Sequence, residues 1–159
     1  MKNLILALSF LLFPAFAGGQ ICGPDVKHST KRVDGKSPLE TSPPSDKAVI
    51  YVLAPTYEAG NRQMKLSADR QWIGVNEHHS YFVAALEPGE HEFCFKSGSG
   101  RVSELVARLK LTTEAGKSYF LLQHTSVGFQ AFSSLEQVSP EDAAILLKKC
   151  KRMEFFEKK

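Results

Sequence analysis

Between positions 48 and 138, apolar and polar residues alternate in short runs instead of recurring at helical spacing. Leu105, Ala107, Leu109 and Leu111 share one parity, while Val106, Arg108, Lys110 and Thr112 share the other. A period of two is that of a strand; on a helix Leu105 and Leu111 would diverge around the axis. Met64, Leu66 and Ala68 alternate in the same way with Lys65, Ser67 and Asp69. The run AVIYVLA at 48–54 is β-branched and aromatic and is stopped by Pro55, which predicts a strand buried on at least one face. Over residues 76–96 two apolar runs flank Glu87-Pro88-Gly89-Glu90. Pro followed by Gly is tight-turn chemistry, so the pattern predicts a β-hairpin. One face of that hairpin carries Phe82, Ala84 and Leu86 with His91, Phe93 and Phe95; the other carries Tyr81, Val83, Ala85, Glu92, Cys94 and Lys96.

The remaining segments extend the pattern. Asp69-Arg70 is predicted to turn the chain into Gln71-Trp72-Ile73-Gly74-Val75, with Trp72 as a core or edge plug. Glu114-Ala115-Gly116-Lys117 is a second turn, followed by strands over 118–126 and 129–138. Ser139-Pro140-Glu141-Asp142 has the chemistry of a helix start, with Ser as N-cap, Pro at N1 and acids in the first turn. The helix is expected over 143–150, with Lys148 and Lys149 in its last turn. Residues 26–47 are polar, proline-containing and aperiodic, and are expected to be a linker or a laid-down arm. The predicted fold class is mainly β: an antiparallel β-sandwich or small barrel with one C-terminal helix over an open end or edge. The predicted organisation is an arm at 18–47, a β domain at 48–150 and a charged tail at 151–159.

The first 17 residues change the cellular setting. Lys2 supplies a positive start, positions 4–13 an apolar run, and Ala15-Phe16-Ala17 a small-x-small cleavage site, the form of an export signal. The run falls short of the roughly 20 residues a spanning helix needs, so no transmembrane segment is expected after cleavage. Ile21 is bulky where lipoprotein processing wants a small residue, which argues against a lipid anchor at Cys22. Export to the periplasm or cell envelope permits disulfides. Three cysteines leave the pairing open among Cys22–Cys94, Cys94–Cys150 and Cys22–Cys150, or none. The chain of 159 residues fits one domain, and its net charge of +3 comes with acids and bases interspersed. That excludes the basic stripe of a nucleic-acid binder.

Chemistry is sparse. No Gly-x-Ser-x-Gly, phosphate loop or dinucleotide fingerprint occurs, so no catalytic residue and no cofactor is assigned and a noncatalytic protein is expected. The sharpest constellation is His78-His79 near His91. Only one of the adjacent pair can face the hairpin mouth, so His79, His91 and His124 make the alternative reading, a zinc- or copper-binding cluster in a periplasmic metal-binding protein. Cys94 and His91 fall on opposite faces of one strand and cannot share a metal. Lys148, Lys149, Lys151 and Arg152 form a basic run interleaved downstream with Glu154 and Glu157, read as a solvated helix end before an anionic contact site. Phe155, Phe156 and the loops at 57–62 and 97–101 are the expected contact sites.

Several spaced motifs together resemble a bacterial envelope family of unknown function with a PEGA-like β domain. They are Cys22-Gly23-Pro24, Pro44-x-x-Lys47-Ala48-x-Ile50-Tyr51-Val52, Trp72-Ile73-Gly74, Asn76-x-x-x-Ser80-Tyr81-Phe82, Pro88-Gly89-Glu90-His91 and Glu114-Ala115-Gly116-Lys117-x-Tyr119-Phe120. The resemblance covers 22–138. It implies a small exported or lipid-anchored domain and a Cys22–Cys94 bond that leaves Cys150 unpaired. It supplies no activity and no catalytic residues. The expected function is that of an envelope binding or structural module whose partner is an envelope protein or a peptidoglycan or lipid component.

Overall fold

The computed structural model describes residues 22–24, 28–33, 42–56, 63–97, 105–126 and 131–157. Strand β2 (Ala48–Ala54) is buried along its whole length, as its unbroken apolar run requires of a strand covered on both faces. It sits inside a six-stranded sheet ordered β1-β10-β5-β2-β8-β9. Its neighbours there are β5 (Ser80–Leu86), antiparallel, and β8 (Ser118–Ser126), parallel. The others are β1 (His28–Val33), β9 (Phe132–Val138) and β10 (Lys151–Glu157). The second sheet, of four strands, is ordered β4-β3-β6-β7, from β3 (Met64–Ala68), β4 (Gln71–Asn76), β6 (Gly89–Ser97) and β7 (Leu105–Thr113). Ile50, Val52, Phe82 and Leu121 of the large sheet meet Leu66, Phe93 and Phe95 of the small one to form the core. The chain is a β-sandwich.

The outer face of the large sheet has a layer of its own. Helix α1 (Pro140–Leu147) seats Ala143 and Leu147 on Val49, Tyr51, Leu53, Tyr81 and Phe120. The helix therefore covers a sheet face and not the open end or edge expected for it. Its start follows the sequence: the Ser139 hydroxyl accepts from the Asp142 N–H at 3.1 Å. Its end is earlier than expected. Lys148 is the C-cap and the last turn holds no base, because the chain must leave the helix to enter β10.

Three other expectations are corrected. Residues 76–96 do not form a hairpin. β5 pairs with β2 and β10, while β6 pairs with β3 and β7, so the Glu87-Pro88 connection crosses from one sheet to the other. Phe82 and Phe93 do share a core, but across the sandwich and not side by side. Alternation gives the face of each strand and leaves its partner open. The arm contains strand β1 and the charged tail is strand β10, joined to each other by six antiparallel registers from His28↔Glu157 to Val33↔Arg152. The large sheet is mixed, with β2–β8 and β10–β5 parallel. The hairpin at Asp69-Arg70 does form, both residues taking positive φ (50° and 68°) between β3 and β4.

Candidate functional site

The histidines expected to cluster are kept apart by the topology. His91 is on β6 of the small sheet, where Nδ1 lies 2.6 Å from Asp69 Oδ2 and Nε2 lies 2.8 Å from the Glu87 carbonyl. Both acceptors suit an imidazolium. Burial opposes its charge, but the Asp69 hydrogen bond, the Glu87 carbonyl and the Asp69 charge outweigh burial and raise its pKa. His79 has a positive φ of 52° between β4 and β5, with its ring edge-on to His78. His124 is on β8 in the large sheet, with its ring 5.5 Å from that of Phe132. Among the described residues no group of three His, Cys, Asp or Glu side chains could hold a metal ion, and the predicted cluster of His79, His91 and His124 is not formed. The loops at 57–62 and 98–101 lie outside the described residues. Phe156 is half-exposed, whereas Phe155 is partly buried with its ring 5.8 Å from that of His28.

The disulfide is Cys22–Cys94, with Cα atoms 5.2 Å apart and both residues buried. Cys94 projects from the outer face of the small sheet because Phe93 and Phe95 take the inner one. The segment carrying Cys22 crosses that face. Ser67 Oγ donates to the Cys22 carbonyl at 2.6 Å and Trp72 Nε1 donates to the Pro24 carbonyl at 2.8 Å. Trp72 thus seals the arm, and a side chain at Gly23 would collide with its indole. Cys150 is the free thiol; burial pushes its pKa up to about 11, which keeps it protonated and unreactive.

A concave feature of the large sheet lies where β5 and β10 part. These strands run in parallel and pair at only two positions, Lys151↔Ser80 and Arg152↔Tyr81. The Lys151 N–H donates to the His79 carbonyl at 2.9 Å and closes that end. Farther on, β5 follows β2 to Leu86 and β10 follows β1 to Glu157. A cleft of about 200 Å³ opens between them, lined by Ile73, Phe82, Val83, Met153 and Phe155, with Arg152 at its closed end. A second hollow of about 180 Å³, walled by Pro43, Pro44, Val49 and Tyr51, shares Val83 and Arg152 with the first.

Arg152 is the charged group common to both. Its Nε–H is buried and has no acceptor. Burial raises the pKa values of the Tyr51 and Tyr81 phenols against the opposing charge of Arg152, so both remain neutral beside it. An arginine fork next to neutral phenols and an apolar slot is equipped to receive an oxyanion, and nothing in the set is arranged as nucleophile and base. The sequence contained Arg152 only as part of a basic run. The local signal for it is the alternation in 151–155, Lys-Arg-Met-Glu-Phe, which sends Met153 into the core and leaves Arg152 on the other face.

Fold and cleft together define a disulfide-bonded, helix-covered β-sandwich with a partly split sheet. No known family profile matches the chain and no solved structure matches it. It is similar to an uncharacterized protein of Haemophilus influenzae, 28% identical over 102 residues, which is 64% of this chain. The match spans 58% of that protein's length.

Proposed function

We propose that this protein is an exported, noncatalytic β domain of the bacterial envelope that works by binding an envelope partner. The observation that carries the proposal is the buried Cys22–Cys94 bond. Such a bond persists in an oxidising compartment and is rare in a reducing one. Here it fixes the arm immediately after a leader-like N-terminus. The split sheet offers the recognition surface; partner proteins often add an extended segment to incompletely paired strands.

The test is expression of the full chain in a bacterial host, followed by osmotic-shock fractionation and alkylation in denaturant under nonreducing conditions. The expected product is found in the envelope or periplasmic fraction, lacks the leader, and takes up one alkyl group, at Cys150. Recovery from the cytosol with all three cysteines alkylated would overturn the proposal.

A further inference from the structure

We infer that the β5–β10 cleft is a receptor for the C-terminal end of an extended apolar polypeptide, whose free carboxylate is taken by Arg152. The inference deepens the envelope-binding role and depends on it. Its starting point is direction. β5 and β10 both run away from the closed end, from Ser80 and Lys151 toward Leu86 and Glu157. Beyond the two paired positions, the facing edges of Val83 to Leu86 and of Met153 to Phe156 have no main-chain partner among the described residues. Unpaired strand edges are templates for another strand.

A segment entering the cleft cannot pass the Lys151↔Ser80 pairing, so the chain end itself must lie at the apex. A strand needs about 4.8 Å on each side, so it reaches only as far in as the two strands have parted. Which end lies there is decided by charge. Arg152 sits at the apex with a buried, unaccepted Nε–H and would repel an ammonium, whereas a carboxylate satisfies it. With its carboxyl end at the apex, the ligand runs antiparallel to both β5 and β10, the stronger pairing geometry. Ile73, Phe82 and Met153 line the inner wall and select an apolar terminal side chain. Glu154 lines the same cleft nearer its mouth and disfavours further acidic residues, so a polyacidic segment does not fit.

The test is a fluorescence-polarisation titration of the mature, disulfide-intact full chain. The probes are labelled hexapeptides of sequence Gly-Ser-Gly-Val-Val-x, with x being Ala, Val, Leu or Phe, each as free acid and as C-terminal amide. At least one free acid is expected to bind. Amidation and Arg152→Gln are each expected to weaken it roughly tenfold or more, as loss of a hydrogen bond to a charged group does. The two losses should not add when combined, because they remove the same contact. Val83→Asp, which places a carboxylate in the cleft wall shared with Arg152, is a second variant expected to abolish binding with an unchanged circular dichroism spectrum. Equal binding of acid and amide, full binding by Arg152→Gln, or no binding by any free acid would overturn the inference. A self-association lost in Arg152→Gln would overturn it as well, assigning the cleft to a second copy. Cell fractionation reads export and this titration reads the cleft, so the two proposals fail separately.

Discussion

At the residue scale, the contact between His91 and Asp69 makes stability depend on pH. The Asp69 carboxylate and the Glu87 carbonyl raise the His91 pKa against burial, so its contribution is complete below the ordinary histidine pKa and is lost as pH rises through the raised value. For Asp69, burial acts upward, but the Glu92 N–H and His91 outweigh it and lower the carboxyl pKa. That contribution is present above the ordinary aspartate pKa and is lost as pH falls through the lowered one. The pair is therefore strongest between roughly pH 4 and 6.5. Thermal melting is expected to peak in that window and decline on its alkaline side, and Asp69→Asn should flatten the decline. Gly74 is a second sensitive position. A Cβ there would overlap the Phe82 ring, so Gly74→Ala is expected to lower stability by about 1–3 kcal/mol in urea denaturation. Parity alone placed Phe82, Phe93 and Leu109 inward, and all three pack in or against the core. The role of Gly74 was not legible, because a strand glycine reads equally as a bulge or as a close approach.

At the scale of elements, the fold obeys local chemistry wherever a signal is local. The Ser139 N-cap satisfies the Asp142 N–H, so Ser139→Ala is expected to cost about 1 kcal/mol, read as a lower melting temperature without a change of fold. The Asp69-Arg70 turn connects neighbouring strands, and its two positive-φ residues suit that tight hairpin. Glu87-Pro88-Gly89-Glu90 looks like an equally good hairpin turn, yet the chain there changes sheets. The difference lies in the edges open to each strand: β6 finds β3 and β7 for its two sides, and β5 finds β2 and β10. From the sequence β10 reads as a tail, because Arg152, Glu154 and the lysines mask its alternation. Removing residues 151–159 deprives β1 of its hydrogen-bonding partner and exposes the full outer edge of β5. The truncated chain is expected to aggregate during refolding, which light scattering would report, because long bare edges pair between molecules.

For the whole molecule, the long-range tie is the Cys22–Cys94 bond, closing a sequence separation of 72. Loops of that size give about 4 kcal/mol in the chain-entropy model, and measured values often fall below it. Cys22→Ser is expected to lower the unfolding free energy by up to that amount, read from denaturant titration, and to release the arm from Trp72, seen as a change in indole fluorescence. The three cysteines allowed several pairings from spacing alone. The small sheet resolved the choice by turning Cys94 outward beneath the arm, while Cys150 packs against the outer face of the opposite sheet. The expected histidine cluster failed for the same kind of reason: β6 and β8 belong to different sheets.

The local pattern along the chain is not enough for β1 or β10, but it is enough for strands β2 to β9, for the inward and outward parity of those runs, for the helix N-cap and for the Asp69-Arg70 turn. These depend on side-chain periodicity and on backbone preferences within a few residues. Which edges pair, which cysteines meet, and how β5 and β10 run in parallel for two residues and then separate around Arg152 emerge from long-range packing alone. Strand partnership is a competition among edges distant in sequence, settled by how both faces of β2 are covered at once, and no local pattern along the chain records its outcome.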